Sequence, residues 1–327
     1  MRAVLVPEPG PAGNMVIDDT PPPVPKANEL LVNVQATAVN RADTLQRRGF
    51  YPPPAGASEI LGLEMSGVVE QVGSAVKNFQ QGDPVFGLLP GGGYAEYAVI
   101  REDMAQPLPA FLSPTDAVAI PEVFLTAYQA LRWLANFTPG ETVLIHAGAS
   151  GVGTAAIQLA QQMEAAQTLV TASEAKHELC LKLGATEAID YQKQSFREVV
   201  ADATEGAGVN VIIDFIMAPY FTDNLNSLSR DGRLIMLAAL GGGHVDDVDL
   251  RKILAKRLQI TGSTLRSRSP SYQAALSKEF FNYALPLFKS KKLKPIIDSV
   301  FSWKKVVQAH EYVEANKSAG KVILTID

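Results

Sequence analysis

A glycine-rich segment between an apolar strand pattern and an amphipathic helix pattern is the feature that most constrains the fold of this chain. The apolar run 143–145 precedes residues 146–153, which read His-Ala-Gly-Ala-Ser-Gly-Val-Gly. Six apolar positions then share one helix face: Val152, Ala155, Ala156, Leu159, Ala160 and Met163. Glycines let a backbone approach a pyrophosphate, and a helix N-terminus offers free N–H groups to it. This context predicts a dinucleotide-binding loop that includes Gly148, Ser150, Gly151, Val152 and Gly153.

The pattern of strand followed by helix repeats after this loop. Further apolar strand patterns occur at 169–170, 188–189, 211–213, 234–237 and 258–260, and helical patterns separate most of them. Repeated strand–helix units form parallel sheets with helices on both faces. We therefore predict an α/β chain whose middle part is a Rossmann domain with a doubly wound parallel sheet.

The first third of the chain has a different character. Sixteen of the 21 prolines lie at or before Pro121, and proline collects at turns and sheet edges. We therefore predict a loop-rich, mainly β region there, with a half-buried strand at 31–37. The tail contains a long helical pattern and ends in a strand pattern at 321–326, and we expect it to rejoin the first third. The predicted domain bounds are 1–121, 122–265 and 266–327.

Bulk composition excludes several classes of protein. A length of 327 residues favours two domains, and a net charge of −5 argues against a nucleic-acid partner. One cysteine cannot form an internal disulfide or a four-cysteine zinc site. No apolar run is as long as a signal peptide or a membrane span requires. We expect a cytoplasmic protein without a membrane partner.

The residues after the second strand of the repeat indicate which dinucleotide binds. An NAD site usually places an acid at the end of this strand, whereas this chain has Ser173 there and Lys176 three residues later. Together with Tyr191 after the next strand, these donors suit the 2′-phosphate of NADPH. Glu174 fits less well, because it would either repel the phosphate or point into solvent. Lys176 has an alternative interpretation as a solvated helix residue.

Several further segments carry a resemblance to a known family. They span nearly all of the chain in order: 39–43, 51–54, 61–64, 89–93, 119–122, 125–127, 146–153, 265–268 and 314–317. On these segments the chain resembles the zinc-independent medium-chain dehydrogenase/reductases, in their quinone oxidoreductase (zeta-crystallin-like) branch. Within that branch it is most similar to the tumour-suppressor-inducible quinone oxidoreductases.

The resemblance implies a GroES-like partial β-barrel around an inserted Rossmann domain, with NADPH as reductant and quinones as acceptors. It also implies a homodimer joined through the Rossmann sheet. Zinc-dependent relatives have a cysteine where Asn40 stands and a histidine where Leu63 stands, so we expect no catalytic metal.

The resemblance also suggests roles for individual residues. Tyr51 would overhang the nicotinamide and donate a hydrogen bond to a developing oxyanion, or would pack only as an aromatic lid. Asn40 would hold the nicotinamide ribose or orient the substrate, and Ser150 would contact the cofactor, cap the following helix, or do both. Four further positions would line the cofactor, although each also suits a purely structural role: Thr126, Leu240, Leu265 and Asn316.

The predicted function is NADPH-dependent reduction of quinones, including ortho-quinones, without a metal and with the electron count left open. Two alternatives remain. The first is reduction of an activated C=C bond in alkenals or enones on the same fold. The second is a non-catalytic NADPH-binding sensor or structural protein.

Overall fold

The computed structural model describes residues 1–327, and the chain divides into two compact units. Unit 1 comprises Met1–Leu125, Arg266–Lys289 and Lys294–Asp327. Unit 2 comprises Thr126–Leu265 and Ser290–Leu293. The C-terminal tail therefore lies mostly in the same unit as the first third.

The regular elements follow one another with short connections. The strands are β1 Arg2–Leu5, β2 Val16–Asp19, β3 Glu29–Val39, β4 Glu64–Val72, β5 Pro84–Leu88, β6 Tyr97–Arg101, β7 Ala105–Pro107, β8 Thr142–Ile145, β9 Gln167–Ala172, β10 Glu187–Asp190, β11 Val209–Asp214, β12 Leu228–Met236, β13 Gln259–Gly262, β14 Ile297–Ser302 and β15 Lys321–Thr325. The α-helices are α1 Arg41–Arg47, α2 Pro114–Val118, α3 Pro121–Tyr128, α4 Gly151–Gln162, α5 His177–Lys182, α6 Phe196–Ala203, α7 Phe221–Ser227, α8 Arg251–Lys256, α9 Pro270–Lys289 and α10 Val306–Glu314. No helix is both long and apolar enough to cross a membrane.

Unit 1 is built on a seven-stranded sheet with the order β14-β15-β3-β4-β5-β7, in which β6 also pairs with β3. All pairings in this sheet are antiparallel except that of β14 with β15. The register of β15 on β3 runs from Val322 opposite Val39 to Thr325 opposite Ala36. This pairing brings the C-terminal strand beside the strand that leads into α1.

Unit 2 contains a six-stranded sheet with the order β10-β9-β8-β11-β12-β13, and every pairing in it is parallel. Counted from β8, the order is 3-2-1-4-5-6, which is the doubly wound order of dinucleotide-binding domains. Strands β8 and β11 carry fully buried apolar side chains such as Leu144 and Ile212. Parallel strands covered on both faces require such continuous apolar runs. The predicted α/β class and the parallel Rossmann sheet are confirmed.

Candidate active site

The glycine-rich loop joins β8 to α4 at the carboxyl edge of the unit 2 sheet, where the strand order reverses. A Cβ atom on Gly148 would lie 2.6 Å from Cβ of Val170 on β9. A Cβ atom on Gly153 would lie 2.4 Å from the carbonyl oxygen of Ala147. Both positions therefore exclude any side chain. The loop leads directly into the N-terminus of α4, whose first backbone N–H groups suit a phosphate group.

Ser150 is the N-cap residue of this helix. Its hydroxyl oxygen accepts a hydrogen bond from the backbone N–H of Gly153 at 3.0 Å. Ser150 therefore caps α4, and its hydroxyl proton stays available to a ligand oxygen.

A buried polar network supports the loop from below. His146 is fully buried, and its Nε2 lies 2.8 Å from Oδ1 of Asn224. The amide nitrogen of Asn224 donates to the Asp214 carboxylate at 3.1 Å. Burial lowers the pKa of His146, which favours the neutral ring. These contacts give His146 a structural role beneath the phosphate loop.

Strand β11 ends in a strained turn. Met217 has φ 69° and ψ −106°, a backbone conformation that residues with a Cβ atom rarely adopt. Its backbone N–H donates to both carboxylate oxygens of Asp214 at 3.2 Å, which helps to fix the turn. The protein therefore carries a methionine at a position that suits glycine.

Replacing Met217 with glycine is expected to raise the free energy of unfolding by about 1 kcal/mol, because glycine removes the strain at this φ. Urea denaturation measures the change. Ile216→Gly is the matched control: Ile216 has no positive φ, so that substitution should destabilise the protein. A loss of stability in Met217→Gly would contradict the interpretation of the turn.

The predicted 2′-phosphate contacts follow two adjacent parallel strands. Ser173 and Lys176 follow β9, and Tyr191 follows β10 with 48% of its surface exposed. Glu174 forms an ion pair with Lys193, with Oε2 and Nζ 2.5 Å apart. This ion pair offsets the negative charge of Glu174 next to the predicted position of the 2′-phosphate.

Lys193 was not among the residues predicted for the cofactor site. Its side chain is exposed, and it lies two positions beyond Tyr191. The sequence signal was a lysine shortly after the third strand of the repeat, but its pairing with Glu174 depends on the adjacency of β9 and β10.

The other predicted cofactor-lining residues are distributed over both units. Thr126, Leu240 and Leu265 belong to unit 2, where Leu265 is buried and Leu240 is 47% exposed. Asn316 belongs to unit 1, and its Oδ1 accepts a hydrogen bond from Arg41 at 2.6 Å.

Unit 1 contains a buried polar cluster centred on Glu64. Oε1 of Glu64 accepts hydrogen bonds from the amide of Asn40 at 2.8 Å and from the ammonium of Lys321 at 2.6 Å. The same ammonium donates to Oδ1 of Asn40 at 2.6 Å. Lys321 and Glu64 have 3% and 0% of their side chains exposed. These bonds fix the orientation of Asn40, which is itself 8% exposed.

Asn40 is also the N-cap residue of α1. Its backbone N–H donates to the Asp43 carboxylate at 2.8 Å, and the other Asp43 oxygen accepts from the N–H of Gly62 at 2.9 Å. Burial raises the pKa of Asp43 to about 6, and the two backbone donors oppose the rise. The end of β3, the N-cap of α1 and the buried polar cluster thus meet at Asn40.

The Tyr51 ring lies near the guanidinium group of Arg266, which is also in unit 1. The guanidinium carbon of Arg266 lies 5.6 Å from the centre of the Tyr51 ring. Arg266 donates from Nε to the carbonyl of Pro90 and from Nη1 to Gln46, both at 2.8 Å. Burial raises the pKa of the Tyr51 phenol, and the Glu122 carboxylate adds to the rise.

Comparison with known proteins identifies the family. The model for the alcohol dehydrogenase GroES-like domain matches residues 26–110, and the model for zinc-binding dehydrogenase matches residues 151–281. Quinone oxidoreductase of Lama guanicoe is 32% identical over 332 residues, which cover 100% of this chain and 98% of that protein. The chain belongs to the quinone oxidoreductase family of the medium-chain dehydrogenase/reductases. The finer subgroup assignment stays a prediction.

Solved structures agree with the family over the whole chain. Escherichia coli quinone oxidoreductase complexed with NADPH has a TM-score of 0.88 and 29% identity, and the match covers 99% of this chain and 100% of that one. The CurK enoyl reductase has a TM-score of 0.88 and 28% identity, with 100% and 99% covered. Solved structures with this fold are therefore named for two different reactions.

The match to the zinc-binding dehydrogenase model raises the question whether this chain has residues that could bind zinc. Asn40 and Leu63 stand at the positions that the sequence analysis assigned to zinc ligands in relatives, and Leu63 is buried. No group of three or more His, Cys, Asp or Glu side chains in residues 1–327 is arranged to hold a metal ion.

Proposed function

We propose that this protein is an NADPH-dependent quinone oxidoreductase. The observation that carries the proposal is the phosphate loop together with the polar group after β9 and β10. In the family, the Escherichia coli relative is described in complex with NADPH, and many relatives are named quinone oxidoreductase.

The loop residues would hold the pyrophosphate of NADPH, with Gly148, Gly151, Val152 and Gly153 supplying backbone and Ser150 its hydroxyl. Ser173, Lys176 and Tyr191 would contact the 2′-phosphate, with Lys193 as an additional cation. Thr126, Leu240, Leu265 and Asn316 are proposed as further cofactor-lining positions.

The bound cofactor would supply the reducing equivalents, and the protein would orient the acceptor. The Tyr51 hydroxyl would donate a hydrogen bond to the quinone oxygen as negative charge develops on it. Asn40, held by Glu64 and Lys321, retains one amide N–H for the nicotinamide ribose or the substrate. A quinone is electrophilic, so weak hydrogen-bond activation is sufficient.

Replacing Tyr51 with phenylalanine is expected to lower kcat for a quinone about 10-fold, because one hydrogen bond to the developing oxyanion is lost. NADPH affinity should stay unchanged. Steady-state kinetics and a fluorescence titration with NADPH measure the two quantities. Tyr97→Phe, on β6, is the matched control. An unchanged kcat would reduce Tyr51 to a packing role.

Reduction of an activated C=C bond is the second candidate, because the CurK enoyl reductase has a closely similar fold. Parallel assays with 1,2-naphthoquinone and a trans-2-alkenal separate the two reactions. Turnover with the quinone supports the proposal, and turnover with the alkenal alone moves the function to double-bond reduction. Tight NADPH binding with no turnover of either substrate would favour a non-catalytic NADPH-binding sensor or structural protein.

We further propose a cytoplasmic homodimer joined through the unit 2 sheet. Strand β13 ends that sheet and has no strand on its outer side within the chain. The preceding helix α8 exposes Leu254 (81%), and Leu250 at its N-cap is 66% exposed. A second copy of the chain would cover the open edge. Light scattering of the purified protein measures its molecular mass and so distinguishes a dimer from a monomer.

A further inference from the structure

The guanidinium group of Arg266 is buried in unit 1, and two hydrogen bonds fix its orientation. Arg266 has 8% of its surface exposed. Its Nε donates to the carbonyl oxygen of Pro90, and its Nη1 donates to the side-chain oxygen of Gln46, both at 2.8 Å. The two bonds leave from different nitrogens of one rigid plane and end on different segments of the chain. The guanidinium plane is therefore held in one orientation.

These hydrogen bonds do not compensate for the burial of the charge. Both acceptors are neutral oxygens, and the Nη2 atom of Arg266 is buried without a hydrogen-bond partner. A buried cation bonded only to neutral groups costs free energy, and so does a buried N–H group without an acceptor. Such an arrangement calls for an explanation other than stability.

The buried charge lies against the ring of Tyr51. The guanidinium carbon is 5.6 Å from the centre of that ring, within the range of a cation–π contact, which strengthens when water is excluded. The connection 48–63 between α1 and β4 carries Tyr51. Near the other end of this connection, the carbonyl oxygen of Glu59 accepts a hydrogen bond from Gln46 at 3.0 Å. Arg266 therefore holds the connection directly at Tyr51 and, through Gln46, at Glu59.

The same charge alters the phenol of Tyr51 as a hydrogen-bond donor. Burial raises the pKa of Tyr51 and the Glu122 carboxylate adds to the rise, whereas Arg266 opposes it. A cation beside a phenol favours the phenolate, so the O–H group becomes a stronger donor. A stronger donor gives more stabilisation to an oxyanion that develops during a reaction.

We propose that Arg266 is the positioning residue of Tyr51. Its guanidinium holds the Tyr51 ring and makes the phenol a stronger hydrogen-bond donor to the quinone oxygen. The inference rests on the proposed function, in which Tyr51 donates that hydrogen bond, and it assigns Arg266 no contact with the substrate. Arg266 therefore acts only through Tyr51, so the effects of the two residues on turnover should not add.

The first test observes Tyr51 without substrate. The protein is produced with 3-fluorotyrosine, and the fluorine resonance that is missing in Tyr51→Phe is assigned to residue 51. In Arg266→Met this phenol should ionise at a higher pH than in the wild type, because the loss of a nearby cation disfavours the phenolate. Arg266→Gln also removes the charge but keeps a hydrogen-bond donor, and it should give the same result if Arg266→Met does not fold. An unchanged ionisation in both variants would overturn the proposal.

Two further variants control this titration. Arg266→Lys keeps a cation and should restore part of the difference. Arg268→Met removes another cation–ring contact, in which the guanidinium carbon lies 4.8 Å from the centre of the Tyr272 ring. Its loss should leave the ionisation of residue 51 as in the wild type.

The second test measures turnover with 1,2-naphthoquinone. Arg266→Met should lower kcat about 5-fold and leave the dissociation constant of NADPH unchanged. The Tyr51→Phe, Arg266→Met double variant should lose about 10-fold, as Tyr51→Phe alone does, because the hydrogen bond that Arg266 strengthens is already absent. A loss of about 50-fold in the double variant would mean that the two residues act independently, and it would overturn the proposal.

The outcomes separate this inference from the function itself. Absence of quinone turnover in the wild type would contradict the proposed function, while the fluorine titration would still test the action of Arg266 on Tyr51. Wild-type turnover with an unchanged kcat in Arg266→Met would overturn only the role of Arg266.

Discussion

Replacing Lys321 with methionine is expected to lower the free energy of unfolding by about 3–5 kcal/mol, because it leaves the buried Glu64 carboxylate without its cation. Lys321 and Glu64 are almost fully buried with Nζ and Oε1 2.6 Å apart. The remaining donors to Glu64 are an amide and a backbone N–H, which carry no net charge. Urea denaturation at neutral pH measures the change.

Two further variants make this prediction specific. The Lys321→Met, Glu64→Gln double variant should recover much of the loss, because no buried charge remains unpaired. Lys304→Met removes an exposed ion pair with Asp327 of similar length, 2.7 Å, and should cost less than about 1 kcal/mol. A loss in Lys321→Met no larger than that of Lys304→Met would show that the cluster contributes little to stability.

Replacing Lys176 with alanine is expected to weaken NADPH binding by about 1.5–3 kcal/mol, or roughly 10- to 100-fold, with little effect on NADH. The physical reason is the loss of a charge-assisted contact to the 2′-phosphate, which NADH lacks. Fluorescence titration with each cofactor measures both dissociation constants.

Lys182→Ala is the matched control for Lys176. Lys182 lies on the following helix α5 and pairs with Glu178 in solvent at 2.5 Å. Its loss should change neither dissociation constant. Equal weakening of NADPH and NADH in Lys176→Ala would contradict the assignment of the 2′-phosphate contacts.

Local sequence patterns carry enough information to predict unit 2. The spacing of the apolar residues distinguishes the strand pattern of β8 from the helix pattern of α4. The lack of space for a Cβ atom at Gly148 and Gly153 explains why the loop has glycine at these positions. Ser150 was predicted with two roles, and its capping role is visible in the hydrogen bond to Gly153. Such features depend on neighbours within a few residues.

The cluster in unit 1 could not be predicted in the same way. Lys321 lies 257 positions from Glu64 and 281 from Asn40 in the sequence, and it was predicted only as part of a terminal strand. Its partners are set by the pairing of β15 with β3, which no local pattern encodes.

The measurement that tests the central proposal most directly is the rate of cofactor oxidation by 1,2-naphthoquinone at limiting enzyme, with NADPH and NADH compared at equal concentration. We expect quinone-dependent oxidation with a clear preference for NADPH. A preference for NADH would contradict the cofactor assignment, and no oxidation of either cofactor by the quinone would contradict the proposed function.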